Sequence, residues 1–234
     1  MMSSGVWRLL IRAETVSKGD YKMQCGQCDG IESFFNEKEA ERQLRSYRKI
    51  GPPKTTQMLI EALRAQGVEG ATLLDIGGGI GVIQHELLRS GLASATDVEA
   101  STAYMRAAQS EAERQGHADK VSYHHANFVD MAPRIPPADI VTLDRVICCY
   151  HDMPSLVGLS VMKVGRLYAL VYPRDTWWVR FAITLGNVYF RIVRNPFRAY
   201  VHRAMSVEAI ARGSGLQRTY YKTSGPWQVV VFAR

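Results

Sequence analysis

The chain has 234 residues, of which 47% are hydrophobic and 22% charged, and it carries a formal net charge of +7. These values are typical of a globular protein of one large domain, and a chain of this length buries enough surface to fold without disulfides. No apolar run reaches the roughly 18 residues that a membrane-spanning helix requires. The basic residues are spread along the chain, which favours a solvated surface over a dedicated anion-binding patch.

The first thirty residues show no clear periodicity. Their apolar patch is interrupted by Arg8 and Arg12 and lacks the continuous core of a secretory signal, so we expect a soluble, cytoplasmic protein. We interpret residues 1–30 as an N-terminal extension that carries the pair Cys25-x-x-Cys28. Residues 31–234 are expected to form a single domain.

Two helices are predicted at the start of that domain. The first covers residues 31–50 and ends at Gly51-Pro52-Pro53, and the second covers residues 54–66 and ends at Gly67. We expect the segment 31–66 to act as a lid over the rest of the domain.

From Gly70 onward, apolar runs alternate with helical patterns. Strands are predicted at 71–76, 94–98, 121–126, 138–146, 167–171, 217–222 and 227–232, and helices after the glycines near 80 and at 101–115, 152–162, 177–194 and 206–212. This alternation predicts an α/β fold, a Rossmann-like and mostly parallel seven-stranded sheet with helices on both faces. The closing hairpin would add an antiparallel strand at the C-terminus.

The stretch Leu-Leu-Asp-Ile-Gly-Gly-Gly-Ile-Gly at residues 73–81 is the most informative motif. A strand that ends in glycines and turns at once into a helix lets a ligand approach the backbone closely. Gly77, Gly78 and Gly79 are therefore candidate cofactor-binding residues. Glu99 ends the next strand, where a carboxylate can accept hydrogen bonds from both ribose hydroxyls.

The residues of these motifs resemble those of class I methyltransferases, which use S-adenosylmethionine. The resemblance rests on Asp75 two residues before the first glycine, the tight glycine spacing, and Val-Glu-Ala-Ser at residues 98–101. It implies that Asp75 lies near the amino-acid portion of the cofactor and that Glu99 binds the ribose. A dehydrogenase-type Rossmann domain is the alternative.

Two further segments extend this resemblance. Residues 124–128 correspond to the family's Gly-Asp-Phe after the third strand, which places Asn127 and Phe128 at the adenine; the amide oxygen of Asn127 can accept the same hydrogen bond as the usual acid. Asp144 ends the fourth strand and is also assigned to the cofactor.

The residues after the fourth strand are expected to face the transferred methyl group, because ligands bind outside the carboxyl ends of parallel strands. The Pro-Pro-Tyr-type motif of enzymes that methylate nucleobases is missing, so we expect a small-molecule acceptor and no nucleic acid. Tyr150 and His151 are the candidate general bases. For His151, a position beside a helix cap is an equally good interpretation.

Residues 31–234 resemble the magnesium-protoporphyrin IX O-methyltransferase family and its bacterial relatives. The resemblance rests on Arg48-Lys49, the glycine loop, Leu-Asp-Arg-Val at residues 143–146 and Arg-Asn-Pro-Phe-Arg at residues 194–198. It implies a methyl ester on a porphyrin propionate. Where the family has an aromatic pair after strand four, this chain has Cys148-Cys149-Tyr150. The candidate acceptor-binding residues are Tyr47, Arg145, Cys148, Cys149 and Trp177.

The predicted helix 177–194 is apolar apart from one narrow polar stripe: Arg180, Thr184, Asn187 and Arg191. Three interpretations remain open: a well-buried helix that covers the sheet, a roof over a large flat acceptor, or peripheral contact with a membrane.

The four cysteines form the pairs Cys25/Cys28 and Cys148/Cys149, which we expect to be reduced. They have no joint role in the simplest interpretation, and no metal site is assigned. If the extension folded over the pocket, the four thiols would suit a soft metalloid such as arsenite. Methylation of a thiol or metalloid is thus one alternative function, and a non-catalytic cofactor-binding regulator is another. The sequence does not indicate an oligomeric state.

Overall fold

The computed structural model describes residues 26–234, which form a seven-stranded sheet flanked by α-helices. The strands are β1 (Thr72–Ile76), β2 (Ser94–Glu99), β3 (Val121–His125), β4 (Ala138–Asp144), β5 (Val164–Pro173), β6 (Gln217–Ser224) and β7 (Trp227–Ala233). The helices are α1 (Gly26–Phe34), α2 (Glu37–Ile50), α3 (Lys54–Arg64), α4 (Val82–Leu88), α5 (Thr102–Gln115), α6 (Phe128–Met131), α7 (Met153–Val161), α8 (Trp177–Ile192) and α9 (Ala204–Gly213).

The strand order is β3-β2-β1-β4-β5-β7-β6, and β7 runs antiparallel to both of its neighbours. The other neighbouring pairs are parallel. The order reverses beside β1, so the carboxyl ends of β1, β2 and β4 open onto one crevice, where doubly wound sheets bind ligands. The predicted fold class, including the antiparallel strand at the C-terminus, is confirmed.

The hydrophobic core lies on both faces of the sheet because side chains alternate along each buried strand. On β5, Leu167 and Ala169 face the layer that contains α3 and α4, whereas Tyr168 and Leu170 face the layer that contains α7 and α9. Strands that are buried on both sides read as continuous apolar runs, which is the pattern seen in the sequence.

The predicted single helix over residues 31–50 is wrong, because the chain forms two helices there. Asn36 is the N-cap of α2, and its side chain accepts a hydrogen bond from the backbone N–H of Glu39 at 3.2 Å. A side-chain cap satisfies amides that have no partner within the helix and so fixes a new start. Helix α1 begins at Gly26, inside the predicted extension. Cys25 and the side chain of Cys28 lie outside the described residues, as does the proposed meeting of the two cysteine pairs.

The interpretation of residues 177–194 as a well-buried helix is also wrong. In α8 only Val179 is buried, and most of the large apolar side chains are exposed. Within residues 26–234, no helix is long and apolar enough to cross a membrane.

The buried hydroxyl of Tyr168 offers a test of this packing. It lies 2.6 Å from the Ser160 hydroxyl, between β5 and α7. We expect Tyr168→Phe to lower the free energy of unfolding by about 1 kcal/mol, since one buried hydrogen bond is lost without creating a cavity. Thermal denaturation should show a fall of roughly 2–4 °C. Tyr221→Phe on the exposed face of β6 is the matched control, and an equal loss there would contradict the assignment.

Candidate cofactor and acceptor site

A cavity of about 670 Å³ opens at the carboxyl ends of β1, β2 and β4. This volume lies in the usual range for small-molecule sites. Thirteen of the fifteen predicted site residues line it: Tyr47, Asp75, Gly77, Gly78, Gly79, Glu99, Asn127, Phe128, Asp144, Arg145, Cys148, Cys149 and Tyr150. Their individual roles remain predictions.

The glycine loop between β1 and α4 requires glycine for two different reasons. Gly77 and Gly79 have φ angles of +64° and +62°, which side chains rarely adopt. At Gly78, an added Cβ would lie 2.4 Å from the amide nitrogen of Gln84 and 2.6 Å from a carboxylate oxygen of Asp97. The loop therefore has no room for a side chain on its inner side.

Two carboxylates of β2 hold this loop from behind. Asp97 accepts a hydrogen bond from the N–H of Gly78 at 3.3 Å, and Glu99 accepts one from the N–H of Gly79 at 2.9 Å. The second oxygen of Glu99 accepts from the N–H of Ser101 at 2.8 Å. Each carboxylate oxygen has two lone pairs, so Glu99 keeps acceptor capacity for a ligand in the cavity.

Asp75 is fully buried beside this pair. Its oxygens accept hydrogen bonds from Thr142 at 2.6 Å and from Gln84 at 3.2 Å. Burial, offset in part by those hydrogen bonds and aided by the nearby charges of Asp144 and Glu99, raises the pKa of Asp75 to about 7.

Asp97 was not singled out from the sequence. It lies directly opposite Asp75 in the β1–β2 register, and burial together with the charge of Asp75 raises its pKa well above the ordinary value. Two adjacent buried carboxyl groups are not both ionised at low cost, so near neutral pH the pair retains a proton. The sequence signal that could have identified Asp97 is its spacing: it lies two residues before Glu99 on the same strand, so both carboxylates face the same side of the sheet.

Asn127 and Phe128 follow β3 at the opposite wall. The Asn127 amide oxygen accepts from the N–H of Val129 at 3.3 Å, and its amide nitrogen donates to the hydroxyl of Tyr150 at 3.2 Å. Asn127 thus caps α6 and joins the β3 side of the cavity to the segment after β4.

Arg145 begins the acceptor side of the cavity with an unusual backbone, since its φ is +61°. A non-glycine residue in this region is uncommon and often marks a functional site. Its guanidinium donates to Asp144 at 3.1 Å and to the Thr56 hydroxyl at 3.2 Å, and that hydroxyl donates to Asp144 at 2.5 Å. Thr56 lies on α3, and nothing in the sequence connects it with the fourth strand.

Cys148 and Cys149 lie in a short 3₁₀ turn after β4, with sulfur atoms 3.8 Å apart. Both thiols donate to the carbonyl of Arg145, at 3.2 Å and 3.5 Å. The contact with Cys148, followed by burial, raises the pKa of Cys149 well above its usual value. Cys149 is therefore held as a neutral thiol at the cavity wall.

An aromatic wall completes the cavity. Phe34 stacks on Phe197 with ring centroids 4.3 Å apart, and Phe35 meets Phe197 edge to face. Trp227 lines the cavity as well. Phe34 and Phe35 lie within the predicted helix 31–50, and no sequence signal placed Phe197 beside them.

Two predicted residues do not reach the cavity. His151 is exposed and stacks on Tyr150, with ring centroids 5.7 Å apart, and Trp177 is 80% exposed on α8. Tyr47 does line the cavity, but its hydroxyl donates to Glu86 on α4 at 3.1 Å, so it anchors α2. The candidate base at His151 and the contact at Trp177 are therefore not supported by their positions.

The raised pKa of Asp75 gives a pH-dependent prediction. In the unfolded chain its carboxyl ionises near pH 4, whereas in the folded protein it retains its proton up to about pH 7. The resulting stabilisation is present at low pH and is lost as the pH rises through 7. Asp75→Asn mimics the protonated form, and the partnerless Oε1 of Gln84 can turn toward the new amide.

We therefore expect the melting temperature of Asp75→Asn, relative to wild type, to rise between pH 5 and about pH 7 and then level off. Denaturation scans in matched buffers measure this difference. The control is Asp119→Asn at an exposed position, for which the difference should stay constant. A constant difference for Asp75→Asn as well would contradict the buried, protonated state.

Comparisons with known proteins agree with this site. A methyltransferase-domain family profile matches residues 74–158. The ribosomal protein L11 methyltransferase of Enterobacter sp. (strain 638) is 25% identical over 117 residues, which are 50% of this chain and 39% of that protein. The matched segment thus covers well under half the length of this relative.

Two solved structures share the fold. Magnesium protoporphyrin IX methyltransferase from Synechocystis PCC 6803, with bound S-adenosylhomocysteine, is 15% identical with a TM-score of 0.70, and the match covers 89% of this chain and 99% of that one. An O-methyltransferase family protein from Burkholderia thailandensis is 17% identical with a TM-score of 0.65, covering 87% and 62%. The matched domain, the sheet order and the glycine loop are those of an S-adenosylmethionine-dependent methyltransferase with a Rossmann-like fold.

Proposed function

We propose that this protein transfers the methyl group of S-adenosylmethionine to a carboxylate oxygen of a large, flat, apolar small molecule. The observation that carries the proposal is one cavity lined by the glycine loop, by an aromatic wall and by Arg145. A tetrapyrrole carboxylate is the acceptor that this combination favours.

In the cofactor half, we assign the ribose hydroxyls to Glu99 and the adenine to Asn127 and Phe128. The glycine loop would lie against the amino-acid portion of the cofactor, where it leaves no side chain in the way. Asp75 would act from behind the loop, since both of its oxygens already accept hydrogen bonds from Thr142 and Gln84.

The choice of a carboxylate follows from the scarcity of candidate bases among the described residues that line the cavity, where Tyr150 is the one predicted base. A carboxylate is ionised at neutral pH and needs no deprotonation, whereas a phenol or amine usually benefits from a base. Among the described residues that line the cavity there is no histidine. Asp144 is engaged by Arg145 and Thr56, and the pKa of Cys149 is raised.

The choice of a flat apolar acceptor follows from the wall. Phe34 and Phe35 pack their rings against Phe197 and line the cavity with it, and Trp227 lines the cavity as well. Arg145 can bind a carboxylate in a bidentate manner at the methyl donor. Methyl transfer from a sulfonium is an in-line displacement, so the protein mainly aligns the oxygen and excludes water. The name of the Synechocystis protein, which has the same fold, points to the same class of acceptor.

The first test is formation of S-adenosylhomocysteine by the full chain with magnesium-protoporphyrin IX, measured against a blank without acceptor. We expect turnover well above the blank and a product heavier by one methylene unit, which mild alkali hydrolyses back as an ester. Cofactor binding without turnover on any acceptor in a panel of carboxylates, phenols and thiols would instead support a cofactor-binding regulator.

Arg145 should control binding of the acceptor more than the chemical step. We expect Arg145→Gln to raise KM for the porphyrin roughly tenfold or more, because a charge-assisted hydrogen bond to a carboxylate contributes about 1.5–3 kcal/mol. The matched control is Arg134→Gln in the 3₁₀ turn after α6, which does not line the cavity. An unchanged KM would remove Arg145 from the acceptor site.

Glu99 tests the cofactor assignment separately. We expect Glu99→Gln to weaken binding of S-adenosylhomocysteine roughly ten- to a hundredfold in calorimetric titrations, since hydrogen bonds to a charged group are lost. Glu113→Gln, an exposed acid on α5, is the control. Equal affinities for the two variants would mean that the ribose binds elsewhere.

A second candidate function rests on the sulfur pair. Thiols 3.8 Å apart at the cavity wall can close on a single soft atom, so a trivalent arsenical or an acceptor thiol is the alternative substrate. Turnover with arsenite that disappears in Cys148→Ser, together with no turnover on porphyrin carboxylates, would favour this candidate. Porphyrin turnover that survives Cys148→Ser would reject it.

A further inference from the structure

The outer side of α8 exposes an unusual concentration of apolar side chains. Eight large ones belong to this surface, which we call the α8 face: Trp177, Trp178, Phe181, Leu185, Val188, Tyr189, Ile192 and Val193. They are eight of the twelve exposed large hydrophobic residues in the described part of the chain. Scattered apolar residues are normal on a protein surface, but a contiguous patch marks an interaction site.

These positions form one side of the helix. At about 100° per residue they cover an arc of roughly 160°, from Trp177 round to Val193. Their side chains are open to solvent; for example, Trp177 is 80% exposed, Ile192 75% and Phe181 59%. Arg180 and Arg191 lie beside one edge of this arc, where they form a cationic flank.

The opposite side of α8 fixes the helix to the protein. The side-chain amide of Asn187 donates to the carbonyl of Ala199 at 2.8 Å and accepts from its N–H at 2.9 Å. Phe190 meets Phe34 and Phe197 edge to face at 5.5 Å. The outer side therefore stays exposed on a helix that is already anchored, and no described residue covers it.

The charges within α8 and at its C-terminal end have one sign. The helix contains no acidic residue, and Arg191 and Arg194 lie at its C-terminal end. Arg180 is paired with Asp175, which precedes the helix. An apolar surface with a cationic edge is complementary to a bilayer that contains anionic headgroups.

We propose that the α8 face docks the protein on the surface of an anionic phospholipid bilayer. The helix lies in the plane of the membrane for about 24 Å, its apolar side chains enter the headgroup region, and Arg191 and Arg194 contact lipid phosphates. Trp177, Trp178 and Tyr189 are amphipathic rings of the type enriched at this depth. The proposal does not depend on the reaction or on the acceptor.

A second copy of the chain is a poorer partner for this surface. In either orientation of the two helices at a two-fold interface, the partner's α8 offers Arg191 and Arg194 no acid to neutralise them. Phosphate groups neutralise the same edge without any change in the protein.

The test is flotation of the full-length protein with phosphatidylcholine vesicles that contain or lack about 30% phosphatidylglycerol. We expect the protein to float with the anionic vesicles and to bind the neutral ones at least tenfold more weakly. Phe181→Gln combined with Ile192→Gln should reduce binding more than tenfold, because two large apolar side chains would no longer be buried in the bilayer.

The matched apolar control is Met162→Gln combined with Met205→Gln, which also changes two exposed apolar residues but lies outside α8. It should float like the wild type. All four substitutions are at exposed positions, so thermal denaturation should confirm that both variants fold.

The cationic flank is tested separately. Arg191→Gln should weaken binding to anionic vesicles about fivefold and leave binding to neutral vesicles unchanged. Lys120→Gln is the control, since it removes the same charge at an exposed position just before β3, outside α8.

Three results would overturn the proposal. Failure to float with anionic vesicles is the first, and equal flotation of the Phe181/Ile192 variant and the wild type is the second, since another part of the chain would then carry binding. The third is a dimer in lipid-free buffer that the Phe181/Ile192 variant dissociates, which would assign the α8 face to a second copy.

Discussion

The architecture depends on how β2 holds the glycine loop. Asp97 and Glu99 reach across from the neighbouring strand and accept the N–H groups of Gly78 and Gly79. This works only if β1 and β2 are parallel and in the observed register, which requires a crossover helix between them. The same carboxylates are buried by that helix and the loop. The carboxylates that fix the shape of the loop are therefore the same ones whose burial raises their pKa values.

The cavity is built from two kinds of chain segment. One part uses the first three strand ends, in a contiguous stretch from residue 75 to residue 128. The other part collects residues from α1, from the turn after β4 and from the segment after α8. The family profile matches residues 74–158, which contain the first part and the β4 turn but neither outer segment. The first part of the cavity is thus encoded locally, whereas the second depends on long-range packing.

This division explains what could be predicted from the sequence. The strands, the helices and the glycine loop follow from local periodicity and turn residues, and the structure reproduces their order with shifts of a few residues. The break at Asn36 was missed because a capping side chain interrupts an otherwise continuous helical pattern. Thr56 beside Asp144 and Phe197 beside Phe34 join positions far apart in the chain, for which periodicity carries no signal.

The exposure of α8 could not be predicted for a related reason. The apolar composition of a helix indicates that its surface is buried against a partner, but it does not indicate whether that partner is protein or lipid. The membrane interpretation was one of three that the sequence left open, and the side-chain exposures rule out the buried one.

The double hydrogen bond between Asn187 and Ala199 has a mechanical consequence. It ties α8 to the segment that contributes Phe197 and Ala199 to the cavity wall. A displacement of the helix would therefore be passed through that amide to the aromatic side of the cavity.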